Sequence, residues 1–381
     1  MPIRNNIVFL PTQKCRTAMP NIKPDITELF FALIRCGIGK EQSLPCSPSH
    51  EEWQALFDMS KKQTLAGITF SGIENLPQEQ RPPKEILLQW YSLSESIKRA
   101  NASLNSKASA LSQKFSEEGF GNCILKGQGI AQSYPNPQLR TPGDIDIWLD
   151  GGCDRVLRYI RSITPDCKPT YHHVDFNISH DVEIEVHYRP TWMYSPIDNR
   201  RLQRYFSEHA QAQFSNTVGT VEGSFSAPTQ VFNMVYIPIH IYRHLFSEGI
   251  GLRQILDYYY VLMHEYSDAE KEECRKVLAS VGVRRFMPAL MYVMQQVFHI
   301  DEEHMICPPN KKSGEFLMRE IMTAGNFGHH DTRYKATGGG YSLALLHNLI
   351  KRSFILVTRY PSEVLWAPAF KIWHFIWRKR H

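Results

Sequence analysis

The spacing of hydrophobic residues divides the chain into a helical first part, a β-rich middle and a helical last part. In the first hundred residues, hydrophobic positions recur at the spacing of one helical face, as in Ile26, Leu29, Phe30, Leu33 and Ile34. A second helix is predicted to begin at Ser49, because Ser49 and Glu52 have the spacing of a capping box. A longer helical pattern follows Pro83 and continues to about Glu118.

The pattern changes after Gly119, where short runs typical of strands replace the helical spacing. The first run, residues 122–126, is apolar and meets Gly127 and Gly129, so it predicts a strand that turns directly into a helix. In residues 144–149, acidic and apolar residues alternate with the period of a half-buried strand. A small sheet is therefore expected here.

Two more alternating runs, residues 173–178 and 182–187, are separated by three polar residues and predict a β-hairpin. One face of the hairpin is expected to be apolar, formed by Phe176, Ile178, Val182, Ile184 and Val186. The opposite face is polar and carries Asp175, Asn177, Glu183, Glu185 and His187. The hairpin thus adds an acidic face to the predicted sheet.

Helical spacing returns after Thr229, with strong segments at residues 231–246 and 251–266. We therefore predict an α/β (α+β) fold, in which a small mixed sheet is flanked by helical regions. The predicted regions are an N-terminal helical region, an α/β core and a C-terminal helical region with a basic amphipathic tail, at residues 1–105, 106–225 and 226–381.

The charge of the chain is modest and concentrated at one end. The 381 residues carry a formal net charge of +5. Residues 351–381 contain seven basic residues and one acid, a charge of +6, which leaves −1 for the other 350 residues. A balanced body of this kind gives no clear nucleic-acid surface.

Cysteine usage and hydropathy point to a cytoplasmic protein. The eight cysteines form no C-x-x-C pair and are spread over all regions, which is typical of reduced thiols and not of a disulfide framework or a zinc site. The first twenty residues lack a signal-peptide pattern. No run of about 18 apolar residues predicts a transmembrane helix.

Candidate chemistry centres on Asp144 and Asp146, which lie two residues apart on a predicted strand, so that both carboxylates leave the same face. Carboxylates held so close repel each other unless a cation or a shared proton relieves the repulsion. Mg²⁺ prefers oxygen ligands and keeps phosphate oxygens as further ligands. Glu183 and Glu185 both lie on the face from which a third carboxylate can complete such a site. A solvated acidic face without metal is the alternative interpretation.

The glycine turn upstream supplies a second element of such a site. Gly127 and Gly129 begin a helix directly after a strand, and backbone N–H groups at that position can receive phosphate oxygens. The turn, the acidic pair and the acidic hairpin strand together favour a site for a metal and a phosphate.

Three segments are similar, in their residues and in their order along the chain, to the motifs of one known family. They are Leu125-Lys-Gly-Gln-Gly129, Arg140-Thr-Pro-Gly-Asp-Ile-Asp-Ile-Trp-Leu149 and Glu185-Val-His-Tyr-Arg189. Three later segments continue the likeness: His240-x-x-x-His244, Gly251-Leu-Arg-Gln-Ile-Leu-Asp257 and Gly325-Asn-Phe-Gly328. In these motifs the chain resembles the uncharacterised bacterial nucleotidyltransferase family, which belongs to the DNA polymerase β-like superfamily. The resemblance covers about residues 50–330.

The resemblance implies that Asp144 and Asp146 hold the metal ions, Mg²⁺ or Mn²⁺, and that Glu185 supplies the third carboxylate. It implies a metal-dependent transfer of a nucleotidyl group from a nucleoside triphosphate to an unknown hydroxyl acceptor, by two-metal in-line displacement. Glu185 is alternatively the base that takes the hydroxyl proton. At this position the family usually has Asp, so Glu185 reaches one methylene further.

The residues implied in binding the triphosphate are those of the turn and one arginine: Lys126, Gly127, Gln128, Gly129 and Arg140. The superfamily turn is normally Gly-Ser or Gly-Gly, whereas Gln128 follows Gly127 in this sequence. This departure keeps a second function open, a catalytically degenerate binding protein that retains the fold.

Two helical patterns have alternative interpretations. His240 and His244 have the spacing of a helical metal pair, but packing against the core is favoured because no third ligand lies nearby. Near the C-terminus, basic residues flank an aromatic stripe formed by Trp366, Phe370, Trp373 and Trp377. Such a helix either packs on its own protein or lies on an anionic membrane. A peripheral membrane-associated scaffold is therefore a third function class.

Overall fold

The structure is a computed structural model that describes residues 24–179, 181–247, 249–326 and 355–379. Three features named above lie wholly or partly outside these residues. They are the N-terminal twenty residues, the second half of the Gly325-Asn-Phe-Gly328 segment and part of the basic tail.

From residue 24 onward, the first part of the chain contains four α-helices: α1 (Ile26–Gly37), α2 (His50–Lys62), α3 (Ala66–Asn75) and α4 (Lys84–Glu117). The capping box that the sequence predicts at the start of α2 is present. The Ser49 side chain accepts a hydrogen bond from the Glu52 backbone N–H, and the Glu52 carboxylate accepts one from the Ser49 N–H. Helix α4 is 34 residues long and reaches from the N-terminal helices to the sheet.

The predicted small mixed sheet is confirmed, and the predicted hairpin is one half of it. Its strands are β1 (Asn122–Ile124), β2 (Ile145–Leu149), β3 (His173–Asp175) and β4 (Ile184–His187), in the spatial order β1-β2-β4-β3. Strands β2 and β4 run parallel, whereas the two outer pairs are antiparallel. The parallel central pair places Asp146 directly opposite Glu185.

Alternation along the central strands gives the sheet two faces. Ile147 and Val186 are fully buried in a core that β2 and β4 share with Phe115 of α4. The expectation that Ile178 belongs to this apolar face is wrong, because its side chain is 46% exposed. Its backbone N–H donates to the Phe176 carbonyl, and this tight turn ends the alternation of the strand.

Short connections join the strands to helices around the sheet. Helix α5 (Lys126–Ala131) follows β1 at once, α6 (Gly152–Ile163) follows β2, and α7 (Pro196–Ser215) follows β4. A separate hairpin, β5 (Thr217–Thr220) and β6 (Gly223–Ser226), lies against α4, where the Ser109 hydroxyl donates to the Ser224 carbonyl.

The described residues after Thr229 form mainly helices: α8 (Gln230–Phe246), α9 (Leu252–Met263), α10 (Asp268–Ser280), α11 (Met287–Phe298), α12 (Lys311–Ala324) and α13 (Pro361–Arg378). These helices share one hydrophobic core with the N-terminal helices, in which Leu33 and Leu290 are fully buried. Gln63 joins the two regions, since its amide donates to the Ile321 carbonyl and accepts from the Leu252 N–H.

The second face of the sheet lies toward this helical body. Trp148 of β2 belongs to the helical core and stacks on Phe232 of α8, with ring centroids 6.0 Å apart. Asp146 is two residues from Trp148 on the same strand, so its side chain leaves the same face. The acidic face of the sheet therefore lines the space between the sheet and α8.

None of the helices within the described ranges combines the length and the apolar character needed to span a bilayer.

Candidate active site

A cleft of about 660 Å³ lies between the polar face of the sheet and helices α8 and α9. Its walls include Lys126, Asp144, Glu185, His187, His240 and Arg253. Three of the residues that the sequence singles out, Lys126, Asp144 and Glu185, thus face one solvent-accessible space. Asp146 lies directly beneath it.

Asp146 is the buried centre of the site. Its Oδ1 lies 2.9 Å from Nζ of Lys126 and 2.8 Å from Nε2 of His187, so two cationic side chains meet one carboxylate oxygen. Its other oxygen, Oδ2, is buried and has no hydrogen-bond partner among the described residues. Burial raises the pKa of Asp146, and the charge of Asp144 raises it further, whereas Lys126 and His187 oppose the rise.

Glu185 faces Asp146 across the parallel strand pair. Its Oε2 lies 3.1 Å from Nδ1 of His173 and 3.2 Å from Nε2 of His187. Burial alone would raise the pKa of Glu185, but the hydrogen bonds from the two histidines outweigh it and hold the pKa well below the usual range. Glu185 is therefore ionised at any physiological pH.

His187 lies between the two carboxylates. Its Nε2 contacts both Asp146 and Glu185, and its Nδ1 lies 3.3 Å from the Arg189 carbonyl oxygen. Burial lowers the pKa of His187, but the hydrogen bonds to Asp146 and Glu185 reverse this effect and raise it to about 9. His187 is an imidazolium at neutral pH and is held in place at both ring nitrogens.

Asp144 immediately precedes β2, and its carboxylate is 35% exposed to the cleft. Nζ of Lys126 lies 3.9 Å from Oδ2 of Asp144 and 2.9 Å from Oδ1 of Asp146. Burial alone would lower the pKa of Lys126, but the charges of Asp146, Asp144 and Glu185 together raise it well above its usual value. The structure thus brings the three predicted acids together around Lys126 and His187.

The turn that carries Lys126 has an unusual backbone. Lys126 has φ +25° and Gly127 has φ +43° with ψ −116°, both in the left-handed region that favours glycine. A lysine held there is strained, and strain of this kind is typical of functional sites. The strained backbone directs the Lys126 side chain toward the acids.

Two residues of the predicted phosphate turn do not present a side chain to the cleft. The Gln128 side chain is buried, and its amide donates to the Asn105 side chain on α4. A Cβ at Gly129 would lie 2.4 Å from the Ile124 carbonyl oxygen, so only glycine allows this approach of α5 to β1. Gln128 and Gly129 therefore hold the turn against α4 and β1.

Arg140 is engaged by a partner far away in the sequence. Its Nε and Nη2 lie 2.8 and 2.9 Å from the two carboxylate oxygens of Asp257 on α9. The Tyr134 hydroxyl donates to the same carboxylate at 2.6 Å, and all three side chains are buried. Beside this cluster, Nη1 of Arg253 donates to the Thr141 carbonyl at 3.0 Å. These contacts hold the segment that leads to Asp144 against α9.

Histidines contribute more to the cleft than the sequence suggests. His240 and His244 contact each other, with 3.0 Å between their Nε2 atoms, and burial lowers the pKa of His240 well below its usual value. His172 and His173 lie beside Glu185 and are absent from the sequence-based site. The available signal was the adjacent histidine pair at the start of the predicted hairpin strand.

The donor atoms fit a divalent cation. Asp146 offers a buried carboxylate oxygen without a partner, Asp144 is exposed to the cleft, and Glu185 lies in register beside them. Oxygen ligands of this kind suit Mg²⁺ and Mn²⁺. Asp146, Glu185 and His187 also form one of the groups whose ligand atoms all lie within 4.8 Å of one another.

Comparison with known proteins gives one family match. Residues 49–299, well over half of the chain, match a family described as "Uncharacterised nucleotidyltransferase". No curated protein matches the chain. Among solved structures, it is similar to an antigenic nucleotidyltransferase-like protein from Paracoccidioides brasiliensis at 14% identity and a TM-score of 0.29. That similarity covers 54% of this chain and 98% of the other, and at this TM-score it carries no argument about the site.

Proposed function

The chain belongs to the uncharacterised nucleotidyltransferase family, and from this premise we propose that it transfers a nucleotidyl group from a nucleoside triphosphate to a hydroxyl acceptor with divalent metal ions. The observation that carries the proposal is the register of Asp146 and Glu185 on neighbouring parallel strands, with Asp144 beside them at the mouth of the cleft. This set of three carboxylates is the one that the family resemblance implies.

Asp144, Asp146 and Glu185 would hold the metal ions, Mg²⁺ or Mn²⁺. When bound, these ions lower the pKa of the acceptor hydroxyl and neutralise the triphosphate and the leaving pyrophosphate. In the reaction, the acceptor hydroxyl loses its proton to solvent and its oxygen forms a bond to the α-phosphorus. The bond between that phosphorus and the leaving pyrophosphate breaks. Glu185 is better suited to metal binding than to the role of base, because a general base works best with a pKa near the operating pH.

Lys126 and the backbone of Gly127 are the proposed phosphate contacts. The Lys126 ammonium lies at the cleft wall beside two acids, and Gly127 lines a small adjoining cavity together with Lys126 and Asp144. Arg140 is fully paired with Asp257, so its proposed role is to position the segment before Asp144. Gln128 and Gly129 are proposed to stabilise the turn through their contacts with α4 and β1.

Calorimetric titration with nucleoside triphosphates, with and without Mg²⁺, tests the proposal at its first step. Nucleotide binding that requires Mg²⁺ and is lost in Asp146→Asn supports it. Nucleotide binding that does not depend on Mg²⁺, together with no release of pyrophosphate, would instead support the alternative function, a catalytically degenerate binding protein. Glu183→Gln is a matched control, because Glu183 lines the same cleft two residues from Glu185.

Helix α13 supports a second candidate function, attachment to an anionic membrane surface. One side of α13 packs on the protein through Glu363, which lies 2.8 Å from Arg243, and through Phe370, which contacts Tyr171. The other side is apolar and faces solvent, with Leu365 69% and Ile372 65% exposed. The stripe of the sequence is thus divided between packing and exposure.

The charge of this region favours an anionic lipid surface as its partner, since Lys371, Arg378 and Lys379 lie in the C-terminal half of α13 or directly after it. Sedimentation with vesicles of phosphatidylglycerol and phosphatidylcholine tests this candidate against vesicles of phosphatidylcholine alone. Salt-sensitive binding that Ile372→Glu abolishes supports it. Equal recovery in the supernatant with both vesicle types overturns it.

A further inference from the structure

Two histidines contact Glu185 at the edge of the sheet, and a third histidine lies against one of them. His173 begins β3 and His187 ends β4, and the two residues are direct partners in the antiparallel pair. Nδ1 of His173 and Nε2 of His187 lie 3.1 and 3.2 Å from the same oxygen of Glu185. His172 adds a third nitrogen, with its Nε2 3.1 Å from Nδ1 of His173.

The spacing of these atoms is that of ligands around one ion. One ring nitrogen from each of His172, His173 and His187 lies within 4.8 Å of the other two. A metal–nitrogen bond of about 2.0–2.1 Å in tetrahedral geometry places ligand atoms about 3.4 Å apart. The cluster therefore needs only small side-chain shifts to surround a cation.

The outward nitrogens of His172 and His187 have hydrogen-bond partners, and that of His173 faces a carboxylate. Nδ1 of His172 lies 3.2 Å from the Thr170 hydroxyl, and Nδ1 of His187 lies 3.3 Å from the Arg189 carbonyl. Nε2 of His173 lies 3.7 Å from the Asp175 carboxylate. Metal-binding histidines typically donate their second ring N–H to such groups, which fixes the tautomer and the ring orientation.

Hydrogen bonds within the cluster do not satisfy all of the inward atoms. Nδ1 of His173 faces both Nε2 of His172 and Oε2 of Glu185, and one ring N–H serves only one acceptor. Metal binding displaces the proton that Nε2 of His187 carries in the metal-free protein. Without that proton, the inward lone pairs face one another and a carboxylate. A cation at the centre turns this repulsion into attraction.

We propose that His172, His173, His187 and Glu185 bind a divalent transition metal that favours imidazole, the class of Zn²⁺ and Co²⁺. Imidazole ligands select such ions, whereas Mg²⁺ prefers oxygen. All four side chains line the cleft, so the ion has a path from solvent. The inference deepens the proposed function, on which it rests for the role of Glu185, because it adds a second metal class beside the three carboxylates and shares Glu185 with them.

Titration of the metal-free, tag-free protein with Co²⁺ tests the proposal, followed by the visible absorption of the bound ion and by calorimetry. We expect one equivalent of Co²⁺ to bind at least about 100-fold more tightly than Mg²⁺. His172→Asn and His173→Asn should each weaken Co²⁺ binding by about 10-fold or more. His209→Asn is the matched control, because this exposed histidine bonds to the Tyr205 carbonyl on α7 and should leave binding unchanged.

X-ray absorption of the Zn²⁺-loaded wild-type protein gives a result that depends on no variant folding. Two or more imidazole ligands are expected around the ion. A shell of oxygen ligands alone overturns the proposal, as does Co²⁺ binding no tighter than that of Mg²⁺. The double variant His240→Asn with His244→Asn is expected to retain Co²⁺ binding. If this variant loses Co²⁺ binding, the ion binds at the α8 histidines and the proposal is wrong.

The two proposals fail in different ways. Mg²⁺-dependent nucleotide transfer without tight Co²⁺ binding overturns the histidine site and leaves the proposed function intact. Tight Co²⁺ binding through the histidines, without nucleotide binding under any metal, overturns the proposed function and leaves the histidine site intact.

Discussion

Nε2 of His187 lies 2.8 Å from Oδ1 of Asp146, so a buried imidazolium and a buried carboxylate form an ion pair between neighbouring parallel strands. The same nitrogen also contacts Glu185, and the two acids raise the pKa of His187 to about 9. One proton on one side chain therefore links the two strands whose acids define the site.

This ion pair predicts that stability falls as the pH rises through the neutral and mildly alkaline range. The pKa of His187 is about 9 in the folded protein and 6.5 in the unfolded chain, so its contribution is complete below pH 6.5 and disappears above pH 9. We expect the free energy of unfolding to decrease by up to about 3 kcal/mol between these limits. Urea unfolding at a series of pH values measures this directly.

His187→Gln is the control for this pH dependence, because the variant lacks the titrating group and should show a flatter profile above pH 6.5. Below pH 6.5 the profile should turn over. Burial lowers the pKa of His172 and of His240, so the unfolded chain binds these protons more readily there. A wild-type stability that keeps rising to pH 9 would contradict the assignment of His187 as an imidazolium.

The two aspartates should differ in what their removal does to the metal-free protein. Asp146→Asn leaves Lys126 and His187 buried without their shared counter-charge, so we expect a loss of about 3 kcal/mol. Asp144→Asn removes a partly exposed carboxylate 3.9 Å from Lys126 and should change stability by about 0.5 kcal/mol or less. Urea unfolding in the presence of a chelator gives both values, and equal effects would argue against the asymmetry.

Glu185 and Glu183 should be distinguishable by ligand-induced stabilisation. We expect Glu185→Gln to abolish the rise in melting temperature that Mg²⁺ and a nucleoside triphosphate together produce, because bound ligands stabilise the folded state by mass action. Glu183→Gln should retain that rise, since Glu183 is an exposed residue of the same cleft. The reverse result would assign the third carboxylate to Glu183.

Arg140 should act on the site through position alone. Arg140→Lys keeps the charge but loses the two-pronged contact with Asp257, so we expect a loss of stability of about 2 kcal/mol. Because this contact anchors the segment before Asp144, metal-dependent nucleotide affinity should also fall. Asp257→Asn, which changes the other partner of the pair, is expected to reproduce both effects. If Arg140 instead contacts phosphate directly, Asp257→Asn should bind the nucleotide with nearly wild-type affinity.

Local patterns in the sequence were enough to predict the strands that carry the acids of the site. The alternation of residues 144–149 and 182–187 places the acids on one face of each strand, because side chains alternate across a sheet. The pairing of the hairpin and the capping box at Ser49 follow from contacts between residues close in the chain. The family resemblance, confirmed over residues 49–299, adds the expectation that Glu185 joins Asp144 and Asp146, which local pattern alone does not give.

Contacts between distant residues are what the sequence did not reveal. Arg140 and Asp257 are 117 residues apart, and nothing in either segment marks the other as its partner. The sequence treats Asp144 and Asp146 as two repelling charges, and it does not show that Lys126 and His187 both contact Asp146. In that view removal of one charge relieves strain, whereas the structure predicts that Asp146→Asn destabilises the fold.

The long-range hydrogen bonds of Gln63 bear on how fast the chain folds. Its amide joins α2 to residues 189 and 258 positions further along the chain, and the N- and C-terminal helices bury one common core. Contacts of such large sequence separation close large loops, which lowers folding rates. We therefore expect slow refolding from urea, and expect fragments cut at residue 105 or 225 to aggregate, because each would leave half of that core uncovered.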